Sequence, residues 1–145
     1  MASQIKSTIT LRTAATTDID AIIAFIRPFV ESGKLLDRTY DEIETWLPSF
    51  FIAEAEGHIV GCAALEIYSR KLAEIRSLAV SPDVQGMGVG RMLVQACVDL
   101  ARERNILETM VVTSSDEFFR ACGFDFTLPG EKKALFIQTQ DRDNP

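Results

Sequence analysis

The segment from Leu78 to Arg104 constrains the fold more than any other, because it joins an apolar strand to a long helix through a glycine-rich turn. Glycine stands at every second position of that turn, at Gly86, Gly88 and Gly90. Without a Cβ, such a backbone can approach a ligand closely and point several N–H groups at one spot. A helix N-terminus directly behind the turn makes that spot attractive to phosphate. The alternative is an ordinary strand-to-helix turn that needs positive φ angles, and the glycines alone do not decide between the two.

Two familiar phosphate motifs do not fit this turn. A P-loop ends in Gly-Lys-Ser/Thr, and no such ending follows Gly90. In the dinucleotide fingerprint the glycines follow the strand directly, whereas here Ser81-Pro82-Asp83 separates them. We therefore do not expect a nucleoside triphosphate or NAD as the ligand.

Hydrophobic periodicity predicts a series of strands and helices along the chain. The predicted helices are 17–29, 39–47, 90–104 and 116–122, and the predicted strands are 9–12, 50–54, 59–68, 73–80, 109–113, 124–126 and 135–138. Pro28 and Gly33 are expected to end the first helix, and Thr39 with Glu42 forms a capping-box pattern at the start of the second. This order favours a mixed sheet with helices on its faces over a doubly wound parallel sheet.

Length and charge limit the classes of function. A chain of 145 residues, 47% hydrophobic and 25% charged, has the usual size and composition of one domain, so we expect a single domain over residues 1–145. The net charge of −6 argues against nucleic acid or an anionic membrane as partner, since both favour clustered Lys and Arg. Residues 1–8 are polar, no run approaches the ~18 apolar residues of a membrane span, and the three cysteines lack metal-like spacing. We therefore expect a cytoplasmic protein without a metal.

The glycine turn and the strand before it resemble a signature of the GNAT superfamily of N-acetyltransferases. That signature is Gln/Arg-x-x-Gly-x-Gly/Ala after a strand ending Leu-Ala-Val-x-Pro, and it matches residues 78–90 here. The order of elements is similar to that superfamily along nearly the whole chain. The resemblance implies an α/β (α+β) fold with a mixed, mostly antiparallel, splayed sheet of about six to seven strands and helices on both faces. It also implies acetyl-CoA as co-substrate and a small-molecule amine as acceptor.

By this resemblance, the coenzyme A site is built mainly from backbone groups. The residues carried over are Leu78, Ala79, Val80, Gln85, Gly86, Met87, Gly88, Val89, Gly90, Arg91 and Phe119. In the superfamily the glycine turn holds the pyrophosphate, and the strand end pairs with the pantetheine arm. An N–H group matching that of Val80 faces the acetyl carbonyl, and a backbone donor aimed at the developing oxyanion is typically worth ~3 kcal/mol of barrier.

Two positions bear on proton transfer. Glu74 lies on the strand that leads to the thioester, and the resemblance suggests it as the base. Pairing with Arg76 or another cation would make Glu74 structural instead, and Tyr68 is a second candidate base. The superfamily's late Phe-Tyr-x-x-x-Gly-Phe helix carries a tyrosine that protonates the leaving thiolate, but this chain has Phe119 there. We expect Phe119 to pack beside the pantetheine and Phe118 to lie inside.

A narrower resemblance points to the acetyltransferase domain of N-acetylglutamate synthases, including short stand-alone forms. It covers residues 33–38, 60–65, 74–80 and 118–120. Those enzymes grip the carboxylates of an amino acid with arginines, whose guanidinium group is bidentate. The matching cations here are Arg38 and Arg76, with Lys34 as a weaker third. Residues 132–137 lack the family's downstream basic and serine-bearing segment, so the resemblance implies an amino acid such as glutamate and leaves its exact identity open.

Other functions stay open at this stage. The acidic chain would suit a cationic acceptor, so acetylation of a protein or a polyamine is an alternative. Phenylalanine at position 119 would also fit a non-catalytic regulatory module that binds coenzyme A. The apolar run Leu135-Phe136-Ile137 would serve a homodimer interface, since relatives often dimerise through their C-terminal strands.

Overall fold

The computed structural model describes residues 8–140. They form two compact units, one ending at Ser114 and the other beginning at Ser115. A single domain over residues 1–145 stays a prediction. The polar segment of residues 1–8, which contributes to the prediction of a cytoplasmic protein, lies outside the described residues except for Thr8. Within the described range, no helix is long and apolar enough to cross a membrane.

The first unit is built around a five-stranded sheet. Its strands are β1 (Thr10–Thr13), β2 (Phe50–Ala55), β3 (His58–Ile67), β4 (Leu72–Val80) and β5 (Glu108–Met110). Its α-helices are α1 (Ile19–Glu31), α2 (Tyr40–Trp46) and α3 (Val89–Glu103), and the second unit contains α4 (Asp116–Ala121). The strands lie in chain order, with β1 to β4 antiparallel and β5 parallel to β4. The mixed, mostly antiparallel sheet is therefore confirmed.

Helices cover both faces of this sheet, as predicted. Successive residues of a strand point to opposite faces of the sheet, so two neighbouring residues of β3 show which helix covers each face. Cys62 belongs to the buried cluster that contains Ile22 and Ile26 of α1. The neighbouring Gly61 faces α3, because a Cβ there would lie 2.9 Å from side-chain atoms of both Leu93 and Val89. Glycine at this position lets α3 pack close to the sheet.

The late strands predicted at 124–126 and 135–138 are wrong, because neither segment forms a strand in the described structure. The sheet therefore has five strands where six to seven were expected. Leu135, Phe136 and Ile137 are almost fully exposed. An isolated strand leaves its backbone groups unpaired and buries little apolar surface. An apolar run therefore forms a strand only where a neighbouring strand is available, and none of the described strands pairs with this run.

The first helix continues through Pro28, which we expected to end it. α1 runs to Glu31, and the Ser32 N–H donates to the Pro28 carbonyl over 3.1 Å. Proline within a helix removes one N–H donor and crowds the preceding turn. Here the helix also buries Ile22 and Ile26 against the sheet, which favours its continuation. The chain then leaves the helix at Gly33, whose φ is +79°, so this part of the prediction is confirmed.

One arginine ties together β1, β2 and the entry to α1. Arg12 Nε donates to Glu54 Oε1 over 2.9 Å, while Nη1 and Nη2 donate to the two carboxylate oxygens of Asp18 over 2.8 and 2.9 Å. The Asp18 carboxylate also accepts the Ala15 N–H over 2.7 Å. The hydrogen bonds from Arg12 above all hold the pKa of Asp18 below its ordinary value. A charge cluster thus fixes the start of the first helix on the edge of the sheet.

We predict that Asp18→Asn lowers the free energy of unfolding by about 1 kcal/mol at neutral pH, since solvent screens a pair whose arginine is 39% exposed. Because the folded-state pKa of Asp18 is depressed, its contribution is present above about pH 4 and is lost as the pH falls through the folded-state value. Urea unfolding at several pH values should show that the free energies of unfolding of the wild type and Asp18→Asn converge in acid.

Asp20→Asn is the matched control, because Asp20 is an exposed carboxylate in the first turn of the same helix. It should change the free energy of unfolding by less than about 0.5 kcal/mol. A difference between the wild type and Asp18→Asn that persists unchanged in strong acid would contradict the role given to the Asp18 charge.

Candidate functional site

The glycine-rich turn connects β4 to α3 where the sequence predicts it. Gly86 and Gly88 have φ angles of 80° and 79°, and Gly88 caps the helix that starts at Val89. These left-handed angles favour glycine, because a side chain would strain them. At both positions a Cβ would have no heavy atom within 4 Å. The space beside both glycines is therefore open to a ligand.

Several backbone N–H groups of this turn have no acceptor among residues 8–140. They belong to Gly86, Gly88, Val89 and Gly90. The first N–H groups of a helix lack intrahelical partners, which explains those of Val89 and Gly90. By contrast, the Gln85 and Met87 N–H groups bond to carbonyl oxygens inside the turn, over 3.3 and 3.2 Å. The free N–H groups and the helix N-terminus together form a site that suits phosphate.

The other residues predicted to bind coenzyme A here differ in exposure. The side chains of Ala79 and Val89 are buried, so only their backbone is available to a ligand. Gln85 and Arg91 are exposed, and Met87 is half-buried. These exposures suit a site that is built mainly from backbone groups.

β4 extends beyond its parallel neighbour. It pairs with β5 only from Leu72, opposite Glu108, to Glu74, opposite Met110. It then continues to Val80, and no described strand pairs with it on that edge. A strand with an unpaired edge presents free N–H and C=O groups that can bind another extended chain. The edge of β4 is therefore open beyond Glu74, where the resemblance implies a splayed opening, and the splay itself stays a prediction.

The opposite edge of β4 shows which backbone groups face this opening. Ala79 lies opposite Cys62 in β3, and the Ser81 N–H donates to a β3 carbonyl over 2.8 Å. Backbone groups alternate between the two edges of a strand. The N–H groups of Leu78 and Val80 therefore point away from β3, toward the open edge.

A bulge in β4 separates its two halves. The register with β3 shifts between Ala79 and Arg76, and the intervening Ser77 has a φ of +56°. A non-glycine residue in this region is strained, and Ser77 is also buried. Burial raises the pKa of the Cys62 thiol to about 12, so the thiol keeps its proton and donates to the Ser77 carbonyl over 3.3 Å. A bulge redirects the residues that follow it, here the ones that line the open edge.

Glu74 lies in a hydrogen-bonded cluster with Glu66, Tyr68 and Arg76, called here the carboxylate cluster. Tyr68 Oη donates to Glu74 Oε1 over 2.6 Å and lies 3.1 Å from Glu66 Oε2. Arg76 Nη1 lies 3.0 Å from Glu66 Oε2 and 3.5 Å from Glu74 Oε1. The register explains the cluster, because Glu66 stands opposite Glu74 and Arg76 follows on the same face two residues later.

These contacts bear on the roles predicted for the cluster. Burial, and after it the hydrogen bond to Glu74, raises the pKa of Tyr68 to about 12. Tyr68 is therefore a neutral phenol at physiological pH, which suits a proton donor better than a base. The contact of Glu74 with Arg76 fits the structural alternative, and its role as a base stays a prediction. A substrate carboxylate on Arg76 would compete with Glu66 and Glu74.

Arg38 is fixed at the start of α2. The capping box predicted there is confirmed, since Thr39 and Glu42 exchange hydrogen bonds of 3.0 and 3.2 Å between side chain and backbone. The Arg38 guanidinium carbon lies 4.9 Å from the centroid of the Trp46 ring, and its Nη1 lies 3.5 Å from Glu42 Oε2. The side chain is 9% exposed, and its buried Nε has no hydrogen-bond partner among the described residues. Such an unmet donor is uncommon and costly.

Among the predicted substrate residues, Lys34 is exposed in the loop before α2. Within residues 8–140, no hydrogen bond or ion pair joins Lys34, Arg38 and Arg76 to one another. The structure thus brings Glu74 and Arg76 into contact, while Arg38 contacts Glu42 and Trp46.

Sequence reasoning missed Glu66 and Trp46. Glu66 carried a signal, because a tight turn after Tyr68 fixes the hairpin register that puts Glu66 opposite Glu74. Arg38 precedes α2 and Trp46 ends it, so the helical spacing of three or four residues does not pair them. The stacking of Arg38 on Trp46 therefore had no comparable signal in the sequence.

The second unit contains Phe119, which is buried. Its ring meets those of Phe118 and Phe124 edge-on, with centroids 5.0 and 5.6 Å apart. Phe118, which we expected to lie inside, is only half-buried, because α4 turns Phe119 inward instead. The contact of Phe119 with pantetheine stays a prediction.

Comparison with known sequences places the chain among acetyltransferases. Residues 17–124 match the sequence profile of the Acetyltransferase (GNAT) family. An uncharacterized N-acetyltransferase of Chlorobaculum tepidum is 34% identical over 114 residues, which covers 79% of this chain and 74% of that protein. An amino-acid acetyltransferase of Neisseria meningitidis is 37% identical over 118 residues, which covers 80% of this chain but 27% of that protein.

Comparison with solved structures agrees with the sequence comparison. The Mycobacterium tuberculosis protein Rv2747, in complex with CoA and NLQ, has a TM-score of 0.75 at 31% identity, over 86% of this chain and 76% of that one. N-acetylglutamate synthase from Neisseria gonorrhoeae, complexed with coenzyme A and N-acetyl-glutamate, has a TM-score of 0.70 at 35% identity, over 78% of this chain and 27% of that one. This chain thus spans about a quarter of the synthase. The similarities confirm the predicted fold class.

Proposed function

The chain belongs to the GNAT family of acetyltransferases, and we propose that it transfers an acetyl group from acetyl-CoA to the amine of an amino acid such as glutamate. The amino-acid acceptor rests above all on Arg38, a buried guanidinium with an unmet hydrogen-bond donor. Relatives named amino-acid acetyltransferase, and a synthase solved with N-acetyl-glutamate, support this acceptor class.

Acetyl-CoA fits the backbone of the glycine turn and of β4. The free N–H groups around Gly86 and Gly88 would hold the pyrophosphate, and the open space beside both glycines admits it. The edge groups of Leu78 and Val80 would pair with the pantetheine arm as an added strand does. Two similar structures contain coenzyme A, which supports the assignment. When bound, acetyl-CoA supplies the acetyl group as an activated thioester.

Arg38 would hold the carboxylate of the acceptor. Stacking on Trp46 and burial fix the guanidinium before a ligand arrives, which lowers the entropy lost on binding. A carboxylate would satisfy the unmet Nε donor and could accept two parallel hydrogen bonds. The contact with Glu42, at 3.5 Å and from a side chain that is partly exposed, is weak enough to yield. Lys34 would add a second cation in the same loop.

The carboxylate cluster would receive the ammonium group of the amino acid. Two carboxylates face one guanidinium there, so the excess negative charge attracts an ammonium group. Glu74 would accept the proton that the ammonium must lose before it attacks. In this assignment Arg76 holds Glu66 and Glu74 in place instead of binding substrate. The Val80 N–H would donate to the acetyl carbonyl oxygen as negative charge develops on it.

We expect acetyl-CoA at ~100-fold above its dissociation constant to stabilise the fold by ~2.7 kcal/mol. Gly88→Asp should abolish this stabilisation, because a carboxylate would occupy the space meant for phosphate and repel it. Aspartate is among the residues that tolerate left-handed angles, so the fold itself should persist. Thermal melting with and without acetyl-CoA measures both effects.

Gly57→Asp is the matched control for this variant. Gly57 has a φ of 78° and equally open surroundings, but it lies in the β2–β3 turn. Both substitutions therefore carry the same backbone strain, and only Gly88→Asp should lose the rise in melting temperature that acetyl-CoA causes. Equal shifts in the two variants would show that the glycine turn does not bind the pyrophosphate.

The acceptor site is tested by Arg38→Ala and Arg38→Lys, with L-glutamate as acceptor. Loss of a charged hydrogen bond costs ~1.5–3 kcal/mol, so Arg38→Ala should lower kcat/KM for L-glutamate roughly ten- to a hundredfold. The KM for acetyl-CoA should stay nearly unchanged. Lysine should restore activity only in part, because an ammonium lacks the bidentate geometry.

Arg102→Ala is the control for this experiment, because Arg102 is exposed and pairs only loosely with Asp99. It should leave both KM values unchanged. An Arg38→Ala protein that melts like the wild type and keeps its kcat/KM for L-glutamate would contradict the proposed carboxylate site.

A further inference from the structure

A base that accepts a proton in each turnover must also release it. The Glu74 side chain is only 10% exposed, which limits direct exchange with water. Its closest polar neighbour is the hydroxyl of Tyr68, at 2.6 Å, and Tyr68 is 49% exposed. The same hydroxyl lies 3.1 Å from Glu66, whose side chain is 24% exposed. A chain of hydrogen bonds therefore leads from the most buried carboxylate to a more exposed one.

We propose that Tyr68 relays the proton collected by Glu74 to Glu66, and from there to water. The inference rests on the proposed function of Glu74 as the base. Tyr68 would then act directly on the reacting proton, and Arg76 would be a positioning residue. The contact of Arg76 Nη1 with Glu66 Oε2, at 3.0 Å, keeps the receiving carboxylate in line with the phenol.

The relay moves protons along hydrogen bonds and changes no bond between heavy atoms. Protonated Glu74 gives its hydrogen to Tyr68 Oη while the phenol's own hydrogen passes to Glu66 Oε2. Tyr68 is therefore neutral before and after the step, and Glu66 becomes a carboxylic acid. Glu66 then releases the proton to water. The Tyr68 hydroxyl now carries the hydrogen received from Glu74 and donates to Glu74, which is again a carboxylate. When Glu74 next takes up a proton, the phenol O–H must first turn from Glu74 to Glu66.

The properties of Tyr68 suit this role. Its pKa is raised to about 12 by burial and by the hydrogen bond to Glu74, so the phenol keeps a proton between transfers. Its hydroxyl lies within hydrogen-bonding distance of two carboxylates but has one hydrogen, so it can donate to only one at a time. A relay requires both acceptors, whereas a tyrosine with a purely structural role would only hold the two carboxylates in place.

The test compares kcat in wild type, Tyr68→Phe and Glu66→Gln, with saturating acetyl-CoA and L-glutamate. Both variants break the chain, one by removing the hydroxyl and the other by replacing the proton acceptor with an amide. Proton transfer by a positioned group typically contributes about 10²–10⁴-fold to the rate. Direct exchange between Glu74 and water would replace part of that contribution, so each variant should lower kcat roughly tenfold in dilute buffer. The KM for acetyl-CoA should not change.

Small buffers separate a relay from a structural role. Imidazole can take the proton from Glu74 directly, so rising imidazole should restore kcat in Tyr68→Phe. Tyr68→Ala opens more space beside Glu74 and should respond more strongly. Tyr40→Phe is the control, because Tyr40 is the other tyrosine of the chain and is similarly exposed, at 41%. It should match the wild type at every imidazole concentration.

The double variant Tyr68→Phe/Glu66→Gln adds an independent check. Two residues of one pathway should show non-additive losses, so the double variant should be no slower than the slower single variant. Losses that multiply would overturn the relay, as would a loss in Tyr68→Phe that imidazole does not restore or an unchanged kcat in that variant.

Glu74→Gln distinguishes failure of the relay from failure of the proposed function. If wild type acetylates L-glutamate and Glu74→Gln loses activity most at neutral pH, the base assignment holds, and an unaffected Tyr68→Phe overturns the relay alone. If Glu74→Gln is as active as wild type, or wild type acetylates no amino acid, the proposed function fails and the relay fails with it.

Discussion

The unpaired edge of β4 is the feature on which the rest of this structure depends. On one side, β4 is bonded to β3 along its length, and on the other it loses its partner after Glu74. Backbone N–H and C=O groups in a fold are almost always paired, so the free half of this strand is suited to an extended ligand. The bulge at Ser77 and the glycine turn follow directly along the chain. Strand, turn and helix N-terminus thus present one series of backbone donors.

The same strand carries groups with different proposed roles before and after the bulge. Before it, Glu74 and Arg76 form the carboxylate cluster with β3, and proton chemistry is assigned there. After it, Val80 offers its backbone N–H to the open edge, and acyl chemistry is assigned there. Arg38 is positioned by a different device, a capping box and a tryptophan ring. Strand register, a helix cap and a ring contact thus hold these groups in place before ligands arrive, so side chains need little reorganisation when ligands bind.

Sequence reasoning predicted local backbone features better than side-chain contacts, for a physical reason. Glycine spacing, the capping box at Thr39 and the apolar pattern of α3 are local signals, and the structure has all three. The strand predicted at 135–138 failed because pairing depends on a neighbour that is distant in sequence. Pro28 failed as a helix end because buried isoleucines outweigh one lost hydrogen bond. The contact of Glu74 with Arg76 was one of the predicted alternatives. The further partners Glu66 and Trp46 depend on strand register and on where α2 ends, which residue types alone do not reveal.

The central claim is that this chain acetylates the amine of an amino acid, and product identification tests it most directly. The protein would be incubated with isotopically labelled acetyl-CoA and an equimolar mixture of L-glutamate, L-glutamine, L-aspartate, spermidine and a basic peptide. Mass spectrometry would then identify every labelled amine. The account predicts a labelled N-acetyl amino acid as the main product. Label found mainly on spermidine or the peptide, or on no amine at all, would contradict it.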